Sequence, residues 1–383
     1  MLFTRDHLER CEDASLAPYG FRSRDSRGRA FPEEEALYRT SFQRDRDRIL
    51  HTSAFRRLEY KTQVFVYSEG DHYRTRLTHT LEVAQIGRSL ATALGANEVL
   101  VEAICLAHDL GHPTFGHAGE SMLNQLMVDH GGFDHNKQSL RIVEKLEIRY
   151  PEFEGLNLSW EVREGIVKHE TDYDLADASR FSPDLRGTLE AQLANPADEL
   201  AYCAHDLDDG LHSGLIQPHD LSGIRLWELA KRSIGWDGAE YDSMVRHRLV
   251  RRVLGLLIDD AIAETGRRLD VTKLTSPDEV RTMPDNVVAL SPEMDEMLVE
   301  LKRFLLERLY RHPRVMRMQL KAERIITALF GAYLGEPRQL PYEEQAKLTY
   351  RSLPRVVCDY IAGMTDRFAL QEYAKLFDPL EQV

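Results

Sequence analysis

The apolar positions of this chain recur mostly at three- and four-residue spacing, the stripe of an amphipathic helix. Val83, Ile86, Leu90 and Leu94 form one stripe that stops at Gly95, a residue suited to the left-handed end of a helix. Asn97 can cap the next helix, whose apolar face (Leu100, Ala103, Ile104 and Ala107) ends near Gly111. A third stripe runs through Met122, Leu123, Leu126 and Met127 to Gly131 and Gly132. The same spacing predicts helices over 136–150, 160–170, 197–212, 222–234, 242–265, 292–311, 313–334 and 342–377. Only Thr62–Tyr67 and Asn286–Leu290 read as strands, each short enough to be a ribbon or a buried turn. The predicted class is all-α with at most a minor β ribbon. Loops fall at 22–35, 174–188 and 266–285, which suggests an N-terminal segment (1–35), a core (36–285) and a C-terminal helical extension (286–383).

Composition narrows the function classes. A net charge of −14 over 383 residues argues against general attraction to nucleic acid phosphates. No apolar run approaches the roughly 18 residues of a membrane span, and four scattered cysteines suit free thiols in a reducing compartment. The chain therefore reads as cytoplasmic, with no membrane partner. Charge is uneven, however: eleven Arg or Lys face seven Asp or Glu between Arg22 and Lys61. The Arg44–Lys61 stretch fits either a solvated helix with internal Arg–Asp pairs or a surface facing a polyphosphate or another subunit. Aromatics interleave with basic residues over 38–76 (Tyr38, Phe42, Phe55, Tyr60, Phe65, Tyr73), which core packing explains more readily than a single-strand-binding or nucleotide-sensing module.

Histidine placement carries the chemistry. Of 15 histidines, five (His108, His112, His117, His130 and His135) crowd into 28 positions, where an even spread would place about one. His108-Asp109, at a helix end, offers an imidazole and a carboxylate that can reach one ion. His79, near the start of the preceding helix, comes close if the two helices are antiparallel. On the 197–212 helix, Asp206 lies off the apolar stripe of Leu200, Ala204, Leu207 and Leu211, and spacing alone leaves it as a solvated carboxylate or a fourth ligand. His205, about 100° around that helix, is the alternative. Two imidazoles and two carboxylates with water positions left over suit one Mn²⁺, Mg²⁺, Fe²⁺ or Co²⁺ better than a closed structural zinc.

These residues, in order, resemble a known family. His79, His108-Asp109 and Asp206 resemble the metal-binding pattern of the HD-domain superfamily. The strings RDRILHTSAFRRLEYKTQVF, RTRLTHTLEVAQI, AHDLGHPTFGHAGE, GGFDHNKQSLRIV, GLNLSWEVREGIVKHE, DELAYCAHDLDDGL and DYIAGMTDRFAL are similar to those of deoxynucleoside triphosphate triphosphohydrolases, in the bacterial deoxyguanosinetriphosphate triphosphohydrolase-like group. The resemblance runs from about residue 35 to 380 and implies an HD-type helical bundle. It implies conversion of a deoxynucleoside triphosphate (dGTP or other dNTPs) to deoxynucleoside and tripolyphosphate. It also implies His79, His108, Asp109 and Asp206 as metal ligands and His117 with Glu120 as the acid–base pair, a spacing at which the carboxylate can orient the imidazole. Gln63, Arg76, His112 and His135 are implied as substrate contacts, with Tyr360 and Asp366 closing the nucleoside pocket. Tyr360 could wall off the sugar 2′ position. The family usually has Tyr where this chain has Phe368. Relatives of this kind are often homo-oligomers, some activated by a second nucleotide. The rival enzyme readings are a 5′-nucleotidase or a nucleotide phosphodiesterase.

Overall fold

The structure, a computed structural model, describes residues 2–64, 73–169 and 179–382. Among them are seventeen α-helices and no sheet, as the periodicity predicts. In chain order they are α1 (Arg5–Ser15), α2 (Ser41–Leu50), α3 (Ser53–Arg57), α4 (Arg76–Leu94), α5 (Glu98–His108), α6 (Gly116–Leu126) and α7 (His135–Arg141). Next come α8 (Trp160–Val167), α9 (Leu189–His212), α10 (Arg225–Ile234), α11 (Ser243–Thr272) and α12 (Pro277–Arg281). The last are α13 (Pro292–Leu305), α14 (Pro313–Gly335), α15 (Tyr342–Lys347), α16 (Leu353–Ala362) and α17 (Asp366–Phe377).

The local signals explain the central pair. Thr75 caps α4 in a reciprocal box with Thr78, and Gly95 closes it at φ 71°. The Asn97 side chain then accepts from the backbone N–H of Val99 and Leu100, starting α5. So short a connection makes α4 and α5 antiparallel neighbours, and both pack on α9. Their apolar faces (Val83, Leu90, Leu100, Ile104) are fully buried with Leu193, Ala197, Leu200 and Ala204 of α9. A second, smaller core joins Phe115, Leu123 and Phe133 to Ile326, Leu329, Val357 and Ile361 of α14 and α16. The site lies where the first core meets the second.

Several expected elements differ. The 342–377 helix is three helices, because Pro354 can only open a helix and Gly363 and Thr365 separate the next. The 136–150 helix ends early, in a π turn at Ile142–Leu146. The 197–212 helix instead begins at Leu189 and carries Pro196 in its interior. Asn286–Leu290 is no strand: Gln192 Oε1 accepts from the N–H groups of Val287 and Val288, and Thr265 Oγ1 from that of Ala289. Side chains thus supply what a β partner would. Thr62 makes a single bridge to Thr75, while Phe65–Tyr67 lie outside the described residues.

The basic stretch divides. Arg44 and Arg48 pair with Glu33, and Arg46 with Asp47 and Glu102, so these three arginines bind the protein to itself. Phe42 and Phe55 are core residues. Buried Lys61 donates to the carbonyls of His112 and Ala362, joining the two cores beneath the site. Burial, with help from Arg57 and Arg76, lowers its pKa to about 7.

Candidate active site

Four elements deliver the polar nest. The first turn of α4 supplies His79, the end of α5 supplies His108 and Asp109, the residue two after α8 supplies His169, and the second half-turn beyond Pro196 in α9 supplies Asp198. His79, His108, Asp109 and His169 are each at most 2% exposed. The ligand-type atoms of His79, His108 and Asp109 lie within 4.8 Å of one another, as do those of His108, His169 and Asp198. Asp198 Oδ1 is 2.8 Å from His79 Nε2 and 3.6 Å from His108 Nε2, and its Oδ2 is 3.3 Å from His169 Nε2.

Hydrogen bonds fix the tautomers. His108 Nδ1 donates to the Cys105 carbonyl at 2.6 Å, which turns Nε2 into the nest, where it has no hydrogen-bond partner. Asp109 Oδ2 is likewise buried without a partner, while its Oδ1 accepts from Arg76 Nη1 at 3.0 Å. On the other side, Glu82 lies 2.9 Å from His205 Nε2, and His205 Nδ1 lies 3.2 Å from His79 Nδ1. This chain of Glu82, His205, His79 and Asp198 has three gaps, each needing a positive centre. Burial lowers His205 to about 4, so the neutral His205 ring supplies only one proton to the two gaps it borders. A cation between His79 and Asp198 completes the set, and the orphaned nitrogen and oxygen of His108 and Asp109 converge on the same space. The donor set of imidazoles and carboxylates thus fits a divalent ion oriented by outer hydrogen bonds. Against the cost of burial, the carboxylates of Asp109 and Asp198 raise His108 to about 9, and the imidazoles hold Asp198 well below the usual carboxylate range.

Asp206 does not join this nest. Eight residues from Asp198, it sits about 12 Å further along the helix axis and accepts from the hydroxyl of Tyr310, which a π turn at Leu306–Tyr310 swings inward. Burial raises Asp206 to about 8. The carboxylate that stands among the imidazoles is Asp198, with His169 beside it; sequence spacing singled out neither.

Beside the nest lies a second imidazole group. His112 stacks on His135 with centroids 3.8 Å apart, and its Nε2 is 3.3 Å from Asp109 Oδ1. Glu120 Oε1 accepts from the backbone N–H and Nδ1 of His135 at 2.8 and 2.9 Å. Glu120 Oε2 is 3.6 Å from Nδ1 of His117, whose side chain is 52% exposed. Despite burial, His135 and His117 hold Glu120 far below its ordinary pKa. Burial and the Arg76 charge push His112 well down, so it is neutral. Phe115 precedes this group at φ 62°, a strained conformation for a side-chain-bearing residue, and Gly116 follows at φ 57°. A Cβ on Gly111 would stand 2.1 Å from the His135 carbonyl, so glycine lets α7 press against the His108-Asp109 corner.

The expected substrate residues separate into two sets. Buried Arg76 leaves Nε and Nη2 unpartnered next to Asp109, and Gln63 leaves its Oε1 unpartnered. Gln63, Phe115, His117, Tyr202, Tyr310 and Gln319 line one cleft. Tyr360 is elsewhere: it faces a separate cavity with Arg57, Lys61 and Phe368, and packs edge-on against Tyr333. Asp366 is no pocket wall either. Fully buried, it accepts from Thr62 N (2.8 Å) and its hydroxyl, and from Thr114 Oγ1 (2.9 Å) and Phe115 N (2.8 Å). It pins the strained Phe115 turn to the start of α17.

No helix among the described residues is long and apolar enough to cross a membrane. Residues 76–209 match the HD domain and residues 288–375 the phosphohydrolase-associated domain. A deoxyguanosinetriphosphate triphosphohydrolase-like protein of Geobacter metallireducens is 52% identical over 97% of each chain. Proteins of the same description are 51% identical in Ralstonia nicotianae, over 95% of each chain, and 50% identical in Deinococcus deserti, over 99% of this chain and 98% of the relative. With these likenesses beside a nest that fits a metal ion, the chain is a hydrolase and belongs to the HD-domain family of deoxyguanosinetriphosphate triphosphohydrolase-like proteins.

Proposed function

We propose that the protein hydrolyses deoxynucleoside triphosphates to the deoxynucleoside and tripolyphosphate, using one Mn²⁺, Mg²⁺, Fe²⁺ or Co²⁺ per site. His79, His108, Asp109 and Asp198 would hold the ion, with His169 and His205 orienting Asp198 and His79. A divalent ion there supplies Lewis acidity for attack at phosphorus. The observation that carries the reading is the placement of half-exposed His117 at the junction of the nest and the Gln63–Tyr310 cleft. A phosphate at the nest puts the nucleoside in that cleft and the departing 5′-oxygen near His117. His117, oriented by Glu120, donates a proton to that oxygen, which would otherwise leave as a costly alkoxide. Arg76, with two unpartnered nitrogens, forks onto the phosphate oxygens. The neutral ring of His112 lies beside Asp109. The names of the relatives support a deoxynucleotide substrate.

The test is incubation with each of the four dNTPs, singly and mixed, with Mn²⁺ or Mg²⁺, and chromatography of the products. Deoxynucleoside with tripolyphosphate is expected; orthophosphate or a monophosphate product contradicts the reading and favours a nucleotidase or phosphodiesterase. His117→Ala should lower turnover by roughly two to four decades with the fold retained, and unchanged turnover would remove His117 from the reaction.

A further inference from the structure

We propose a second cation site, formed by His112 Nδ1, His117 and Glu120 Oε2, that selects a borderline ion such as Zn²⁺ and shares no ligand with the first. Ligand-type atoms of these three residues lie within 4.8 Å of one another. Tetrahedral zinc ligands stand about 3.4 Å apart, given bonds near 2.1 Å, so the group must contract by roughly an ångström. His117 can make that motion because its side chain is half exposed on the first turn of α6.

The buried partner of the site is already poised. His112 is 3% exposed, and its Nε2 lies 3.3 Å from Asp109 Oδ1. Its Nδ1 is buried without a hydrogen-bond partner and lies 3.9 Å from Glu120 Oε2. A ring nitrogen and a carboxylate oxygen thus face each other across a gap too long for a hydrogen bond, an arrangement that a cation relieves. Glu120 is held in place from behind, since its Oε1 takes both donors of His135. Arg76 is paired with Asp109, and Lys61 donates to the carbonyls of His112 and Ala362. Two nitrogens and one oxygen, with a fourth position toward solvent at His117, form an open zinc-type set; Mg²⁺, which wants oxygen ligands, is a poor match.

Occupancy would tie up the His117 ring and inhibit. This consequence rests on the proton transfer proposed for His117, whereas binding does not. The experiment is equilibrium dialysis of the full chain against Zn²⁺, followed by elemental analysis. Two ions per chain are expected for the unmodified protein, one for His117→Ala, one for Glu120→Gln and one for Asp198→Ala. A single ion in the unmodified protein, or two retained in both His117→Ala and Glu120→Gln, overturns the site. Far-ultraviolet circular dichroism of each variant checks the fold, and exposed His117 can be removed without unfolding the chain. Adding Zn²⁺ to the Mn²⁺-loaded protein should lower turnover in step with the second ion. A second ion bound with turnover unchanged would uphold the site and contradict the role of His117.

Discussion

Asp198 and Asp206 lie on one helix, two turns apart, and their surroundings make them opposite acids. Three imidazoles surround Asp198 and hold it ionised, and its side chain keeps 16% exposure. Asp206, with no exposure, meets the hydroxyl of Tyr310 and is raised to about 8 by burial. The same residue type is thus held as a carboxylate in one place and as a nearly neutral hydrogen-bonding group in the other. Partners, not the helix, decide which.

The sharpest way to break that comparison is to remove each carboxylate in turn. Asp198→Ala should lower turnover well beyond the roughly 10–100-fold that loss of even an outer partner of a metal costs, with Asp206→Ala the milder variant. The reverse order in steady-state assays would refute the assignment. A third buried carboxylate extends the series. Asp366 meets neither imidazole nor tyrosine but four donors from Thr62, Thr114 and Phe115. Asp366→Ala strands those donors and should destabilise the protein by about 3 kcal/mol, read as a lower midpoint in denaturant unfolding. An unchanged midpoint would deny Asp366 its role in fixing the Phe115 turn.

The smallest effect concerns protons. The folded pKa of Asp206, about 8, lies above an unfolded value near 4. Folding therefore holds a proton that the unfolded chain has released between those pH values. The stability this contributes is complete below about pH 4 and is lost as pH rises toward 8. Asp206→Asn removes that slope, so the variant should gain stability on the parent steadily as pH rises from 5 to 8. Parallel stability curves in urea for the two proteins would show that Asp206 is ionised throughout.

What the sequence made legible was local. Gly95 and Asn97 mark their helix ends by backbone chemistry, so the approach of His79 to His108-Asp109 followed from two caps and a short connection. Asp198 was hidden by Pro196. A proline invites a helix start at 197, which turns Asp198 into an ordinary first-turn acid, whereas the helix runs unbroken from Leu189. His169 follows α8 with no periodic neighbours to betray it. Tyr360 and Asp366 sit in a stretch whose apolar spacing reads as one long helix; its breaks at Pro354 and Gly363 turn Tyr360 toward another cavity. The resemblance pointed to Asp206, whereas the carboxylate standing among the imidazoles is Asp198, because two acidic residues eight apart cannot be told apart by spacing without knowing where the imidazoles fall.

The most direct test of the account is the metal content of Asp198→Asn and Asp206→Asn, each loaded with Mn²⁺, freed of excess ion and analysed beside the parent. Retention of the ion by Asp206→Asn and its loss from Asp198→Asn is the predicted result. Loss from Asp206→Asn with retention by Asp198→Asn would contradict the site as built here.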